Sequence, residues 1–162
     1  MRFKHFRSRL KALWRELKRL GEYRRSVLAV TPLSSLQMDL HVFSIEHGWH
    51  LVLAETLEAA VERRMEMQNA VVLYDRDLPG VQWRHGLKTI LDCSGPACVI
   101  LLSREVESGL RRTTLECGGY DVARKPFEYE TLTRLVNGAF VLAESVDSIT
   151  LQRDHTRFAA VA

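Results

Sequence analysis

Val71-Val72-Leu73-Tyr74-Asp75-Arg76-Asp77-Leu78-Pro79-Gly80 carries the strongest fold signal in the chain. An apolar run ends abruptly in a carboxylate. Leu78-Pro79-Gly80 then supplies turn chemistry, because proline pre-sets φ and glycine tolerates a positive one. The pattern predicts a buried strand with Asp75 at its carboxyl end. Fifty residues on, Arg124-Lys125-Pro126-Phe127 closes a second strand-like run. A carboxylate and a lysine at the carboxyl ends of two strands of one sheet meet where open α/β folds place their chemistry.

Working outward, short apolar runs alternate with helical stretches. Residues 26–30, 49–54, 70–74, 97–102 and 121–124 read as strands. Helices are expected near residues 34–47, 57–68, 82–91, 105–116 and 129–144. Ser34-Ser35-Leu36-Gln37 has the form of a capping box, with Leu36, Leu40, Phe43 and Ile45 as the apolar face behind it. Gly48 ends that helix, and Gly118-Gly119 ends the fourth. Leu57, Ala60, Val61 and Met65 are the expected inward face of the second. Leu132, Leu135, Val136, Phe140 and Val141 are that of the last. Continuous apolar strands alternating with helices imply a parallel sheet covered on both faces. Five such units in ~120 residues fit a flavodoxin-like doubly wound α/β sheet of order 2-1-3-4-5. Residues 25–144 form the domain, and residues 145–162 read as an aperiodic tail.

Residues 1–24 differ in character. Phe3, Phe6, Leu10, Leu13, Leu17 and Leu20 recur at 3-4-3-4-3 spacing, the seam pattern of a coiled coil. Basic residues fill most other positions, and Gly21 closes the pattern. Residues 1–25 hold ten Lys/Arg against Glu16 and Glu22, a net +8. The rest of a chain with formal charge +3 therefore sums to −5. An isolated helix this short is marginal in water. The stripe is expected to dock on its own domain, a second copy, an acidic partner or membrane surface, or nucleic acid. No helix-turn-helix or other reader accompanies it.

Composition excludes several classes. At 162 residues, 46% hydrophobic and 27% charged, the chain has the make-up of one globular domain. No apolar run is long enough to span a membrane, and the basic N-terminus has no apolar core of a secretory signal. Cys93, Cys98 and Cys117 have neither disulfide-framework nor zinc spacing, so reduced thiols in a cytoplasmic protein are expected. His41, His47 and His50 lack a ligand set for zinc. There is no G-x-S-x-G, no paired general acid and base, and no P-loop, so no enzymatic activity is expected.

In this order and on these element ends, three motifs resemble the receiver domain of two-component response regulators, over roughly residues 26–143. They are Leu73-Tyr74-Asp75-x-x-Leu78-Pro79-Gly80, Val99-Ile100-Leu101-Leu102-Ser103, and Gly118-Gly119-Tyr120-Asp121-x-x-x-Lys125-Pro126-Phe127. The resemblance implies that Asp75 is the phosphoacceptor, with Ser103 and Lys125 contacting the phosphoryl group. It also implies Mg²⁺ as cofactor and a sensor histidine kinase or other signalling protein as partner, with a homodimer as a further arrangement. Output would run by protein–protein contact through the fourth helix, fifth strand and fifth helix.

The departures from the family pattern are specific. The family ends its first strand in two acidic residues that hold Mg²⁺. Thr31 and Pro32 stand here, leaving the Asp75 carboxylate and an Asp77 oxygen as donors. Mg²⁺ binding is expected to weaken accordingly. The family's switch aromatic is Val122 here, and the small residue after the fourth-strand hydroxyl is Arg104. The expectation is that Arg104 or Arg76 pairs with Asp75 in place of the missing metal. The reading is thus an atypical, stand-alone receiver acting in phosphorelay signalling, with phosphorylation-independent output. The alternative is a DNA-binding regulator in which a dimeric receiver-like core presents two basic helices.

Overall fold

β3 (Ala70–Asp75) is buried at every one of its six positions, which requires cover on both of its faces. The computed structural model, which describes residues 25–67, 70–93 and 95–159, provides that cover. β3 lies at the centre of a five-stranded parallel sheet with β1 (Ser26–Val30), β2 (His50–Ala54), β4 (Ala97–Ser103) and β5 (Asp121–Arg124), in the order β2-β1-β3-β4-β5. The expected sheet order is the observed one.

Side-chain alternation sorts the core into two layers. Val27, Ala29, Val71, Leu73, Ile100 and Leu102 face α1 (Ser34–His47) and α5 (Tyr129–Ala159). Leu28, Val30, Val72, Tyr74, Val99 and Leu101 face the opposite layer. That layer holds α2 (Leu57–Met65), α3 (Trp83–Leu91) and α4 (Leu110–Glu116). Burying each of the Val, Leu and Ile side chains among these contributes about 1.5–3 kcal/mol.

Several local expectations are corrected. α1 has Leu33 at its N-cap and no side-chain cap, and Gln37 Nε2 donates to the Thr31 carbonyl (2.9 Å), so Ser34–Gln37 forms no capping box. Ile45, Met65 and Val141 are exposed. On α2 the inward position belongs to Arg64, whose guanidinium donates to the carbonyls of Met67, Gly95 and Pro96. Residues 104–109 form a loop, and α4 starts only after Gly109 at φ 97°. α5 runs through residue 159, so the stretch read as an aperiodic tail continues the helix. Gly48 ends α1 in the left-handed region (φ 66°), as its position predicts. The basic amphipathic stretch at residues 1–24 lies outside the described residues.

Candidate functional site

In a parallel sheet all carboxyl ends share one edge, which is what gathers the candidate residues. Asp75 is the last residue of β3 and Ser103 the last of β4. Thr31 follows β1 and Lys125 follows β5. Backbone hydrogen bonds hold this edge in register: Thr31 N–H donates to Ala54 O (2.9 Å), Arg76 N–H to Leu102 O (2.9 Å), and Lys125 N–H to Ser103 O (2.8 Å).

Asp75 is fully buried, and both of its carboxylate oxygens are engaged. Oδ1 accepts from Lys125 Nζ at 2.6 Å and from the Asp77 N–H at 2.9 Å. Oδ2 accepts from the Thr31 hydroxyl at 2.7 Å. Thr31 is itself held in place, since its Oγ1 accepts from Leu33 N–H (3.2 Å) and its carbonyl from Gln37. Lys125 is 8% exposed and also reaches Asp77 Oδ2 at 3.2 Å. A single buried carboxylate thus has one ammonium, one hydroxyl and one amide around it. Charge-assisted hydrogen bonds of this kind are about twice as strong as neutral ones.

The expected pairing of Asp75 with Arg76 or Arg104 does not form. Arg76 pairs with Glu107 at 3.1 Å and leans on Ser103 Oγ and Glu105 O, both at 3.4 Å. Arg104 reaches only Asp77, at 4.0 Å, on the exposed rim. The physical reason is that Lys125 already supplies the countercharge of buried Asp75, while the arginines find carboxylates nearer solvent at lower desolvation cost. The Ser103 hydroxyl donates to Glu105 O at 2.7 Å, turning toward its own loop. Arg76, Asp77, Trp83, Ser103 and Arg104 line the mouth of a cleft above this edge.

Two contributions escape the sequence reading. Thr31 registers there only as a missing acid, yet it is a direct partner of Asp75. Asp77 supplies a backbone donor and a side-chain carboxylate to the Asp75–Lys125 pair. A hydroxyl residue at the end of a strand neighbouring the Asp75 strand is the signal that points to Thr31.

A divalent cation of the Mg²⁺ type wants several oxygen ligands in near-octahedral array. Among the described residues no three His, Cys, Asp or Glu side chains converge as a metal site. Asp75 and Asp77 both already bind Lys125, and Glu107 pairs with Arg76. The residues present do not fit that ion. No described helix is long and apolar enough to cross a membrane. Behind the site, Tyr74 buries its hydroxyl with no partner, and burial, then the Asp75 charge, push its pKa up to about 12.

No protein-family model and no curated protein matches the chain. Solved structures do. The receiver domain of sensor histidine kinase PA1611 from Pseudomonas aeruginosa, with magnesium coordinated in its active-site cleft, is 20% identical. It superposes with a TM-score of 0.63 over 72% of this chain and 97% of its own. A CheY-like response regulator receiver domain protein from Methanospirillum hungatei is 14% identical, with a TM-score of 0.68 over 75% of this chain and 98% of its own. The Saccharomyces cerevisiae receiver domain of Ssk1, solved with the histidine phosphotransfer protein Ypd1, is 21% identical. Its TM-score is 0.65, over 74% of this chain and 92% of the matched one. The chain therefore has the fold of response-regulator receiver domains.

Proposed function

We propose that this chain is an atypical, non-enzymatic receiver module that signals by protein–protein contact in the cytoplasm, without relying on Mg²⁺-assisted phosphorylation. The observation that carries the proposal is the Asp75 carboxylate engaged at both oxygens, with Lys125 on one and Thr31 on the other. Phosphoryl transfer is positioning plus neutralisation of charge on the transferred group. Asp75 keeps the phosphoacceptor position, with Lys125 as cation and Ser103 as nearby hydroxyl. The Mg²⁺ that would complete the neutralisation lacks its ligands, because Thr31 and Pro32 stand where two acids are needed. The Thr31 hydroxyl also holds a proton against Asp75 Oδ2.

The partner surface is the α4–β5–α5 side. Val106 and Leu115 are exposed there, and Arg124, Pro126, Phe127 and Thr131 line a shallow cleft beside β5. The partner class is a signalling protein such as a histidine kinase or histidine phosphotransfer protein. The Ypd1–Ssk1 complex supports that class.

The test is incubation with a small phosphodonor, with and without Mg²⁺, followed by intact mass. The expected wild-type result is no Mg²⁺-dependent gain, while a Thr31→Asp, Pro32→Asp double variant acquires one. A Mg²⁺-dependent gain of one phosphoryl group in the wild type, lost in Asp75→Asn, overturns the proposal.

A further inference from the structure

α1 is apolar on both of its sides. Leu36, Leu40 and Phe43 face the sheet and are buried. On the opposite side Met38, Val42 and Ile45, at i, i+4 and i+7, are 64%, 50% and 68% exposed. A helix that is apolar all round belongs between two surfaces, and the described residues provide only the inner one. Asp39 and Glu46, both exposed, flank the outer stripe along one edge, and α1 carries no Lys or Arg.

We infer that the outer face of α1 is the docking site for residues 1–24 of the same chain. Reach is the first argument. The Arg25 carbonyl accepts from His50 N–H at 3.0 Å, two residues past the Gly48 cap of α1. Arg25 also pairs with Glu144 at 3.5 Å and lies over the Phe140 ring. The segment therefore joins the domain beside the carboxyl end of α1. The few residues from Leu20 to Arg25 span up to ~17 Å when extended, enough to bring the stripe alongside.

Length is the second. The 14 residues of α1 rise about 21 Å, and residues 3–20 as a helix would rise about 27 Å. The two match when they run in the same direction with their carboxyl ends together. Charge is the third. Residues 1–25 carry the net +8, the remainder −5, and Asp39 and Glu46, the latter accepting from the Tyr129 hydroxyl, place acids beside the α1 stripe. Lys4, Lys11 and Lys18 recur at the seven-residue period of the apolar seam, so a helix would carry all three in one row.

Zero-length carbodiimide coupling of the full-length protein tests this, because it joins only a lysine and a carboxylate already in contact. An equimolar mixture of isotope-labelled and unlabelled chains separates links within a chain from links between chains. The expected result is coupling of Lys4, Lys11 or Lys18 to Asp39 or Glu46 within single chains. It should fall about tenfold in Met38→Glu, Ile45→Glu, whose side chains are exposed and outside the core. Mixed-isotope links only, which would make a second copy the occupant, overturn the inference. So does the absence of links between residues 1–24 and α1, or a yield the double variant leaves unchanged.

Discussion

Two fully buried charged side chains sit at opposite ends of the same sheet, and they are neutralised in different ways. At the carboxyl edge Asp75 meets an opposite charge, the Lys125 ammonium at 2.6 Å. At the amino edge Arg64 donates to carbonyls, Met67 O at 2.7 Å, Gly95 O at 2.5 Å and Pro96 O at 3.0 Å, and among the described residues its Nε has no hydrogen-bond partner. Burial pushes the Arg64 pKa down. Arg64 ties the connections entering β3 and β4 to α2 through backbone dipoles, which tolerate no exchange of partner. The Asp75 pair is made of side chains that mutation can re-pair. The first arrangement suits a structural clamp and the second a site whose partners single substitutions can exchange.

The sharpest way to break the contrast is Lys125→Met, which leaves Asp75 buried without its countercharge. It should cost about 3–5 kcal/mol, read as a lower urea midpoint at constant slope, with most of the loss recovered by adding Asp75→Asn. Arg64→Met orphans three carbonyls and should cost about 3 kcal/mol, with no second-site charge change able to restore it. Equal rescue of both variants would erase the distinction.

Tyr74 reports how far the Asp75 charge is felt behind the sheet. Its folded pKa of about 12 exceeds the ordinary 10, so the folded state holds the phenol proton more tightly. Its contribution to stability is complete below pH 10 and is lost as pH rises from 10 to 12, on the order of 2–3 kcal/mol in all. Stability measured against pH should show this fall in the wild type and not in Tyr74→Phe, and Asp75→Asn should bring its upper end to lower pH. Smallest of the four, Thr31→Val removes one hydrogen bond to a carboxylate and should cost about 1.5 kcal/mol in thermal or urea unfolding.

The apolar runs at residues 70–74 and 97–102 made the sheet legible, because their shortness and alternation with helical stretches read as strands buried on both faces. Asp75 and Lys125 were legible because strand ends are punctuated by a proline and a turn. Arg64 was not, since a helical period assigns a long cation to solvent unless carbonyls from two distant loops happen to converge on it. The same limit hid Thr31, whose role depends on a partner 44 positions away. The rim arginines failed as partners of Asp75 because sequence proximity to a carboxylate says nothing about which acid is cheaper to reach. Residues 34–37 matched a capping box in pattern, but Gln37 found the Thr31 carbonyl instead.

α5 has a consequence of scale. Its 31 residues rise about 46 Å, whereas five to seven strand residues span only ~17–23 Å of sheet. Ala143, still buried, is the fifteenth residue of the helix, about 22 Å from its start. The other half of α5 is thus as long as the sheet is tall. Helical rise alone therefore carries residue 159 about 24 Å beyond Ala143.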